Sequence, residues 1–539
     1  MRIEFEGFDA APGLAVDADS GAGELRWSVA NATDAPLAVD RVHARWRLHA
    51  NGTVRMLRNG YQSWSPSGGG TIGVDEDFSR TTNLPRAVRA AYHADPGPSG
   101  AHELRSELVT ALADSSDAYC LGFDGGDRHD GTFRVTGDAI VAEAFLGGAV
   151  LAPGERRTLH DIRIHASDPA AGLEAWAQWA GTASAARVES PYRVGWCSWY
   201  QYFHTVTEAD VRANLARAGE WPIDVFQVDD GFQAAIGDWR TVAPTFPSPL
   251  DRLAADIDRA GYLAGLWLAP FLAAPDSELA RLHPDWIVRR ASGRTVVGAV
   301  NAPWGGAMHV LDTTHPEVLA HLEQLARDLV AMGWTYLKLD FTYAPSFVGA
   351  WHDPAATPAQ RVRAGYDAIR RGAGDNTFLL GCGAPLGPCI GVVDGMRIGP
   401  DVAPWWAPPA VHDAYADAAP STKNAARNTM ARAFQHRRLW LNDPDCLMLR
   451  TRDTQLDAEQ VETWARVVAA SGGMALVSDD LALLDSVSRR LLDDVIAEGR
   501  VVDAAARTSA PPECSDLLQG WTPSCLGALR IDAEAGRVL

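Results

Sequence analysis

The spacing of apolar and polar positions differs between successive regions of the chain. Over residues 1–175, short apolar stretches are separated by turn sequences such as Asn51-Gly52 and Ala152-Pro153-Gly154. Short strands with frequent turn signals are typical of packed antiparallel sheets. We therefore predict an N-terminal β-sandwich over residues 1–175, with strands at 24–29, 41–49, 109–113, 119–123, 132–135 and 157–165 and a helix at 172–183.

From residue 176 onward, apolar strands alternate with amphipathic helices. The predicted strands lie at 194–199, 225–228, 263–268, 336–339, 378–380, 395–398, 439–441 and 474–477, and helices such as 208–219, 250–261 and 316–333 separate them. Eight such units predict a (β/α)8 TIM barrel over residues 176–499. A doubly wound open sheet is the alternative. It is disfavoured because polar clusters follow nearly every strand, whereas an open sheet gathers its ligand groups where the strand order reverses.

The last part of the chain predicts a third, smaller region. A helix at 481–498 precedes apolar stretches at 501–505, 517–522 and 525–531, which we interpret as strands. Residues 500–539 are therefore expected to form a short C-terminal β region.

Composition narrows the class of function. Of 539 residues, 47% are hydrophobic and 22% are charged, as in ordinary globular proteins. The formal net charge of −20 repels phosphate backbones and anionic lipids, so neither nucleic acid nor a membrane is an expected partner. The start has no apolar core of a signal peptide, and no stretch approaches the roughly 18 apolar residues of a membrane span, which predicts a cytoplasmic protein.

Cysteine and histidine spacing predicts neither disulfides nor a metal site. The 7 cysteines include no C-x-x-C pair, and the 15 histidines include no H-E-x-x-H motif. Most cysteines are therefore expected to be buried thiols, and no metal or other cofactor is expected. The 19 tryptophans either fill cores or present aromatic faces on which sugar rings can stack.

A lysine and an aspartate two residues apart end the fourth predicted barrel strand. The chain has only two lysines, Lys338 and Lys423, and Lys338 precedes Asp340 at the end of an apolar run. Period-two alternation places Lys338 and Asp340 on one face, where the ammonium would keep the carboxylate ionised as a nucleophile requires. A structural ion pair at a strand end is the alternative.

A second acid, Asp401, follows the sixth predicted strand. Residues just past barrel strands line the mouth where chemistry occurs, so Asp340 and Asp401 are expected to face each other. Glycosidic cleavage uses two carboxyl groups in this way. Asp340 suits the ionised role, Asp401 suits the acid if burial raises its pKa, and Arg397 can bind a sugar hydroxyl or orient Asp340. Alternatively, Asp401 caps a turn after Gly399-Pro400.

Two adjacent aspartates, Asp229 and Asp230, end the second predicted strand. Two neighbouring acceptors can bind an axial hydroxyl and an adjacent CH2OH group of a sugar, and Gly231 lets the loop bend sharply. A calcium site is the competing interpretation, but the D-x-D-x-D-G loop that it needs does not follow.

Taken in order, these motifs resemble the melibiase-type α-galactosidases of glycoside hydrolase family 36. The resemblance covers about residues 55–450, and the motifs that carry it are NGYQSWS at 59–65, WCSWY at 196–200, QVDDGF at 227–232, GLW at 265–267, KLD at 338–340, the spacing of Arg397 and Asp401, and NDPD at 442–445.

The resemblance implies an exo-acting, retaining α-galactosidase with Asp340 as nucleophile and Asp401 as acid/base. It implies terminal α-galactosides as substrates and a chain that can form a homo-oligomer. The substrate-binding residues that it implies are Asp229 and Asp230 for the 4- and 6-hydroxyls, Lys338 and Arg397 for further hydroxyls, Trp267, Trp64 and Trp199 around the sugar, and Cys382 near its 2-position.

Other functions remain open at the level of sequence. The same scaffold can act on α-N-acetylgalactosaminides or transfer galactose, depending on the space around the 2-position. A protein that binds galactosides without catalysis belongs to a different class, and a metal-dependent barrel hydrolase to a third. The presence of Asp340, Asp401, Lys338 and Arg397 together favours catalysis, since binding alone needs no matched pair of acids.

Overall fold

The computed structural model describes residues 1–21, 23–76, 86–95, 97, 100 and 102–539. The strands of the N-terminal region are β1 (Arg2–Asp9), β2 (Leu14–Gly21), β3 (Glu24–Asn31), β4 (Leu37–His49), β5 (Arg55–Arg58), β6 (Gly68–Thr71), β7 (Leu104–Glu107), β8 (Val109–Ala113), β9 (Ala118–Phe123), β10 (Asp130–Val135), β11 (Ala139–Leu151), β12 (Arg156–Thr158) and β13 (Ile162–Ala166). They form two antiparallel sheets in the orders β1-β4-β11-β10-β7 and β12-β3-β13-β9-β8-β5-β6, and β2 pairs with β3.

Side chains from both N-terminal sheets share one hydrophobic core. Trp27 on β3, Trp46 on β4 and Phe133 on β10 are buried in it. On β3 every second residue is buried, which is the alternation that a half-buried strand requires. The predicted strands are confirmed, except that 157–165 is divided into β12 and β13. Strands β1, β2, β5, β6, β7 and β11 were not predicted. In β1 and β2 most residues are exposed and carry little apolar pattern.

The central region contains a parallel sheet. Its strands, with those of an inserted antiparallel sheet, are β14 (Val194–Cys197), β15 (Val225–Val228), β16 (Leu263–Leu268), β17 (Leu272–Ala273), β18 (Val297–Asn301), β19 (Gly306–Val310), β20 (Tyr336–Leu339), β21 (Phe378–Gly381), β22 (Gly395–Arg397), β23 (Leu441–Asp443), β24 (Cys446–Leu447) and β25 (Ala475–Val477). The parallel sheet has the order β23-β22-β21-β20-β16-β15-β14-β25-β24, and β17-β19-β18 is the insertion.

The parallel sheet curls back on itself. Its two terminal strands, β23 and β24, are separated along the chain only by Pro444 and Asp445. The short strands β14, β15, β20 and β21 are buried at every residue, as expected when helices cover a parallel sheet. All eight predicted strands of this region are present, most of them within one or two residues of the expected bounds. This curl brings the carboxyl ends of the strands together around one opening.

Helices connect most of these strands, and several of them begin at polar caps that the sequence supplies. Thr207, Thr357 and Asp457 each form a capping box with the residue three positions later. The helices are α1 (Arg86–Arg89), α2 (Pro169–Ala183), α3 (Trp199–Tyr202), α4 (Glu208–Ala218), α5 (Leu250–Arg259), α6 (Glu278–Leu282), α7 (Pro316–Ala331), α8 (Pro358–Ala373), α9 (Leu386–Cys389), α10 (Thr422–Ala431), α11 (Ala458–Ser471) and α12 (Ser486–Thr508).

The end of the chain differs from the prediction. Residues 501–505 are not a strand but the last turns of α12, and residues 517–522 form turns. Only the stretch at 525–531 is extended, and it belongs to a small antiparallel sheet of β26 (Cys525–Leu526), β27 (Leu529–Asp532) and β28 (Arg537–Val538).

The cysteines and the helices can be compared with what the sequence predicts. All seven cysteines are free thiols, and six of them are buried, which confirms the expectation of buried thiols. Within the described ranges, no helix has both the length and the apolar character that crossing a bilayer requires.

Candidate active site

A recess of about 210 Å3 opens at the carboxyl ends of the parallel strands. Eight of the ten predicted site residues line it, and the other two, Arg397 and Cys382, are buried. The lining residues are Trp64, Tyr92, Trp199, Asp229, Asp230, Trp267, Asn301, Trp304, Lys338, Asp340, Phe341, Pro400, Asp401, Ala418 and Pro420. The recess therefore combines carboxylates, an ammonium and a ring of aromatic side chains.

A larger cavity of about 760 Å3 lies between the N-terminal sheet, α2 and the C-terminal segment. Three of its four acids hold local structure together: Asp114 accepts backbone N–H groups in a turn, Asp168 caps α2, and Glu174 pairs with Arg438 at 2.8 Å. The smaller recess is the better candidate for chemistry, because four carboxylates and an ammonium converge there at the carboxyl ends of the parallel strands.

Asp340 lies at the end of β20 and is held by two donors. The indole N–H of Trp267 donates to Oδ2 at 3.0 Å, and the backbone N–H of Phe341 donates to Oδ1 at 2.8 Å. Phe341 has φ = 54°, a left-handed conformation that is uncommon outside glycine. A Cβ on Gly383 would lie only 3.0 Å from Asp340 Oδ1 and 2.9 Å from Trp64, so glycine is required for this close packing.

The partner of Lys338 is not the one that the sequence suggested. Its ammonium lies 2.8 Å from Oδ2 of Asp229, and both side chains are almost fully buried. Burial by itself would lower the pKa of Lys338, but the surrounding groups, above all the charge of Asp229, together raise it well above its ordinary value. The same oxygen of Asp229 accepts a hydrogen bond from Gln227 at 2.6 Å. The prediction that Lys338 pairs with Asp340 is therefore wrong, although both residues line the recess.

Both oxygens of Asp230 are also fixed. Gln233 donates to Oδ1 at 2.6 Å, and the indole N–H of Trp304 donates to Oδ2 at 2.8 Å. Burial raises the pKa of Asp230 to about 6, the two hydrogen bonds oppose this rise, and the charges of Asp229 and Asp340 add to it.

Arg397 on β22 lies at the centre of a cluster of carboxylates. Its guanidinium contacts Asp401 at 3.1 Å, Asp443 at 3.1 Å and Asp445 at 2.8 Å. Burial raises the pKa of Asp401, and the charge of Asp340 adds to this rise while Arg397 opposes it. Burial also raises the pKa of Asp445 to about 6, and Asp445 accepts a hydrogen bond from Tyr200. The cluster therefore contains a buried cation and acids with raised pKa beside the recess.

Trp64 reaches the recess from the N-terminal region. It lies in a loop, residues 59–65, that pairs with the segment after β21, where Ser63 N donates to Ala384 O at 3.1 Å and Leu386 N donates to Tyr61 O at 3.0 Å. The ring of Trp64 packs edge-on against Phe341, with centroids 5.0 Å apart. One wall of the recess therefore comes from a different region of the chain than its carboxylates.

A buried arginine, Arg432, holds this loop against the central region. Its guanidinium donates to the backbone oxygens of Ser63 at 2.7 Å and Ile398 at 2.8 Å. Further backbone acceptors are those of Gly60, Gln62 and Ser65, at 3.0–3.2 Å. In the described part of the chain, no carboxylate forms an ion pair with Arg432, and burial lowers the pKa of its guanidinium to about 9. Arg432 therefore joins the Trp64 loop to the end of the strand that precedes Asp401.

Several lining residues were not predicted. Trp304 and Asn301 lie on the β18–β19 hairpin, which is inserted between β16 and α7. A tryptophan in the sequence Ala302-Pro303-Trp304-Gly305-Gly306 could have marked a turn with an aromatic tip. Tyr92, by contrast, lies in an alanine-rich stretch with no recognisable motif.

Part of the central region is similar in sequence to known proteins. The family model described as Melibiase matches residues 194–358, which include Asp229, Asp230, Lys338 and Asp340. Alpha-galactosidase AgaA of Geobacillus stearothermophilus is 30% identical over 164 residues, which are 28% of this chain and 20% of that protein. An alpha-galactosidase of Escherichia coli is 31% identical over 113 residues, 20% of this chain and 15% of that protein. The aligned stretches thus span only a fifth or less of these relatives' own length.

Structural similarity extends further along the chain. TtGalA, an alpha-galactosidase of Thermus thermophilus solved in complex with p-nitrophenyl alpha-D-galactopyranoside, superposes with a TM-score of 0.71 at 27% identity, over 90% of this chain and 94% of that one. AgaA of Geobacillus stearothermophilus, a GH36 alpha-galactosidase, superposes with a TM-score of 0.60 at 15% identity, over 94% of this chain and 75% of that one, which is a likeness in fold alone.

Proposed function

Because the chain belongs to the melibiase family of glycoside hydrolases, we propose that it is an exo-acting, retaining α-galactosidase. The curled parallel sheet is then a (β/α)8 barrel, with β23 and β24 as two halves of its seventh strand, and the N-terminal sheets form a β-sandwich beside it. This assignment is supported by the parallel pairing of every strand around the sheet and by the two-residue separation of its terminal strands.

One observation carries the proposal: Asp340 and Asp401 line the same small recess but differ in their surroundings. Two hydrogen-bond donors fix the orientation of the Asp340 carboxyl group, as a positioned nucleophile requires. Burial raises the pKa of Asp401, which favours the protonated form that a general acid needs. Two carboxyl groups with separated roles are the requirement for glycosidic cleavage with retention.

In the first step, a carboxylate oxygen of Asp340 attacks the anomeric carbon while Asp401 donates its proton to the departing glycosidic oxygen. The bond to the aglycone breaks, and a β-linked galactosyl ester of Asp340 forms. Asp401, now ionised, then takes a proton from a water molecule that attacks the same carbon, which releases galactose in the α configuration and restores Asp340.

The remaining predicted residues orient the sugar. Asp229 and Asp230 accept hydrogen bonds from the 4- and 6-hydroxyls, and Lys338 donates to a neighbouring oxygen. Trp267, Trp64 and Trp199 supply apolar faces, and Cys382 lies under the side of the 2-hydroxyl. The guanidinium of Arg397 already contacts three carboxylates, so its main role is to position Asp401.

The size of the recess supports exo action. About 210 Å3 is less than the ~300–1,000 Å3 that drug-sized ligands occupy, so one terminal sugar ring is the largest group expected inside. TtGalA has also been solved in complex with stachyose. Terminal α-galactosides of oligosaccharides are therefore the proposed substrates.

The assignment of the two acids is tested with azide. Asp340→Ala is expected to lose at least about 10³-fold in kcat on p-nitrophenyl α-D-galactopyranoside, since no covalent ester can form. Azide should restore part of the activity by attacking the anomeric carbon directly, and NMR should identify β-galactosyl azide.

Asp401→Ala is the matched control. With this activated leaving group, which needs little acid assistance, the ester on Asp340 still forms, and azide should attack it to give α-galactosyl azide. Rescue of Asp340→Ala with the α product, or rescue only after replacement of a different acid, would contradict the assignment. A wild-type protein that binds galactose in calorimetry but cleaves no α-galactoside would instead favour a binding protein.

A further inference from the structure

The β18–β19 hairpin brings an indole N–H to a carboxylate of the recess. The hairpin turns at Gly305 and Gly306, whose φ angles of 88° and 118° favour glycine. Trp304 precedes this turn, and its ring packs against Trp267 and Phe341 with centroid distances of 5.8 and 4.8 Å. These contacts hold the indole so that Nε1 lies 2.8 Å from Oδ2 of Asp230.

The surroundings of Trp304 differ from those of a tryptophan that only fills a core. Its side chain is partly exposed and lines the recess, and its acceptor is one of the two acids proposed to bind sugar hydroxyls. Trp286 provides the contrast. It is 5% exposed, and its indole N–H donates at 3.3 Å to Glu317 on α7, which does not line the recess.

We propose that Trp304 is a positioning residue for Asp230: its N–H fixes one carboxylate oxygen so that the other lone pairs of Asp230 face the hydroxyls of the terminal sugar. This inference rests on the proposed function. Gln233 fixes the second oxygen at 2.6 Å, so the plane of the carboxylate is set from two sides. A carboxylate held in this way binds the sugar without first losing rotational freedom.

The same hydrogen bond, together with that of Gln233, favours the ionised form of Asp230. The charged groups that face Asp230 are Asp229 and Asp340, whose negative charges raise its pKa, and Lys338, which is paired with Asp229. Burial raises the pKa of Asp230 to about 6, and the N–H of Trp304 opposes this rise. Loss of that N–H therefore raises the pKa of Asp230 further. As the pH is lowered, Asp230 then becomes protonated at a higher pH and can no longer accept hydrogen bonds from two sugar hydroxyls.

Trp304→Phe tests the inference because it keeps an aromatic ring and removes the N–H. With p-nitrophenyl α-D-galactopyranoside at pH 7, kcat/KM should fall about tenfold, the size expected for loss of one hydrogen bond to a charged group. The acid limb of the kcat/KM profile should move to higher pH. Trp286→Phe, the matched control, should leave both kcat/KM and the pH profile unchanged, and the unfolding temperature of each variant shows whether it folds.

Deoxygenated substrates separate positioning from general damage. If Trp304 acts through Asp230, the defect of Trp304→Phe should shrink to less than about twofold on whichever of the 4-deoxy and 6-deoxy nitrophenyl galactosides lacks the hydroxyl bound by Asp230. An equal defect on all three substrates, or no defect with a wild-type enzyme that is active, would overturn this inference alone. An inactive wild-type enzyme would overturn the proposed function and this inference with it.

Discussion

At the scale of single residues, the ion pair of Lys338 joins two strands of the parallel sheet. Lys338 and Asp340 do share a face of β20, as alternation predicts, yet Lys338 pairs with Asp229 after β15. Where a parallel sheet curls around an interior, inward side chains of alternate strands can lie in one layer, and β20 and β15 are alternate strands. A pattern within one strand cannot reveal this contact, because it is made across the interior.

Replacement of the two lysines tests this contact. Lys338→Met leaves the carboxylate of Asp229 buried without its cation and should lower the free energy of unfolding by about 3–5 kcal/mol. Lys423→Met removes a partly exposed pair with Glu534 and should change it by less than about 1 kcal/mol. Denaturant unfolding of both variants measures the difference. Equal losses would mean that the Lys338 pair is no more important to stability than a surface pair.

At the scale of elements, prediction succeeded where burial makes the pattern simple. The strands β15, β16 and β20 have the predicted bounds, because they are short, mostly apolar and buried at almost every residue. The prediction failed at 501–505, where Val501 and Val502 suggested a strand. The helical spacing of the buried residues Leu492, Val495, Ile496, Gly499, Asp503 and Ala506 decides in favour of α12.

A proline at Val501 tests the helical assignment. Val501 is 70% exposed and lies inside α12, so Val501→Pro removes a helical hydrogen bond and should destabilise the protein by about 3 kcal/mol. Val501→Ala is the matched control. In a helix it should be neutral or slightly stabilising, whereas in a strand it should destabilise, and thermal unfolding distinguishes the two results.

At the scale of the whole molecule, the candidate site belongs to two regions of the chain. The acids, Lys338 and two of the tryptophans could be chosen from strand ends, while Trp64 was indicated only by family resemblance. Arg432 was not predicted, since a basic residue near the end of a helix gives no sign that its partners are backbone oxygens far away in the sequence. Contacts between regions are therefore the part of the site that sequence patterns describe least.

Arg432→Lys tests whether this arginine positions the Trp64 loop. Lysine keeps the charge but offers three donors on one nitrogen, which cannot reach the five backbone oxygens that the guanidinium contacts. We expect the unfolding temperature to fall and KM for the nitrophenyl galactoside to rise several-fold, with a smaller change in kcat. The kinetic constants are measured by initial rates, with unfolding followed by circular dichroism.

Arg438→Lys is the control for this variant. Arg438 is also buried, but it contacts Glu174 on α2 and the backbone at the end of α12, away from the recess. Arg438→Lys should therefore lower the unfolding temperature without changing KM. If Arg432→Lys lowers stability and leaves KM at the wild-type value, Arg432 supports the fold only.

The scarcity of lysine, together with the burial of Lys338, has a practical consequence for covalent chemistry. Acylating reagents that attack side-chain amines find only Lys423 accessible, on α10 and paired with Glu534, while Lys338 is shielded by its contact with Asp229. Immobilisation through lysine would therefore attach every molecule through the same side chain and in one orientation.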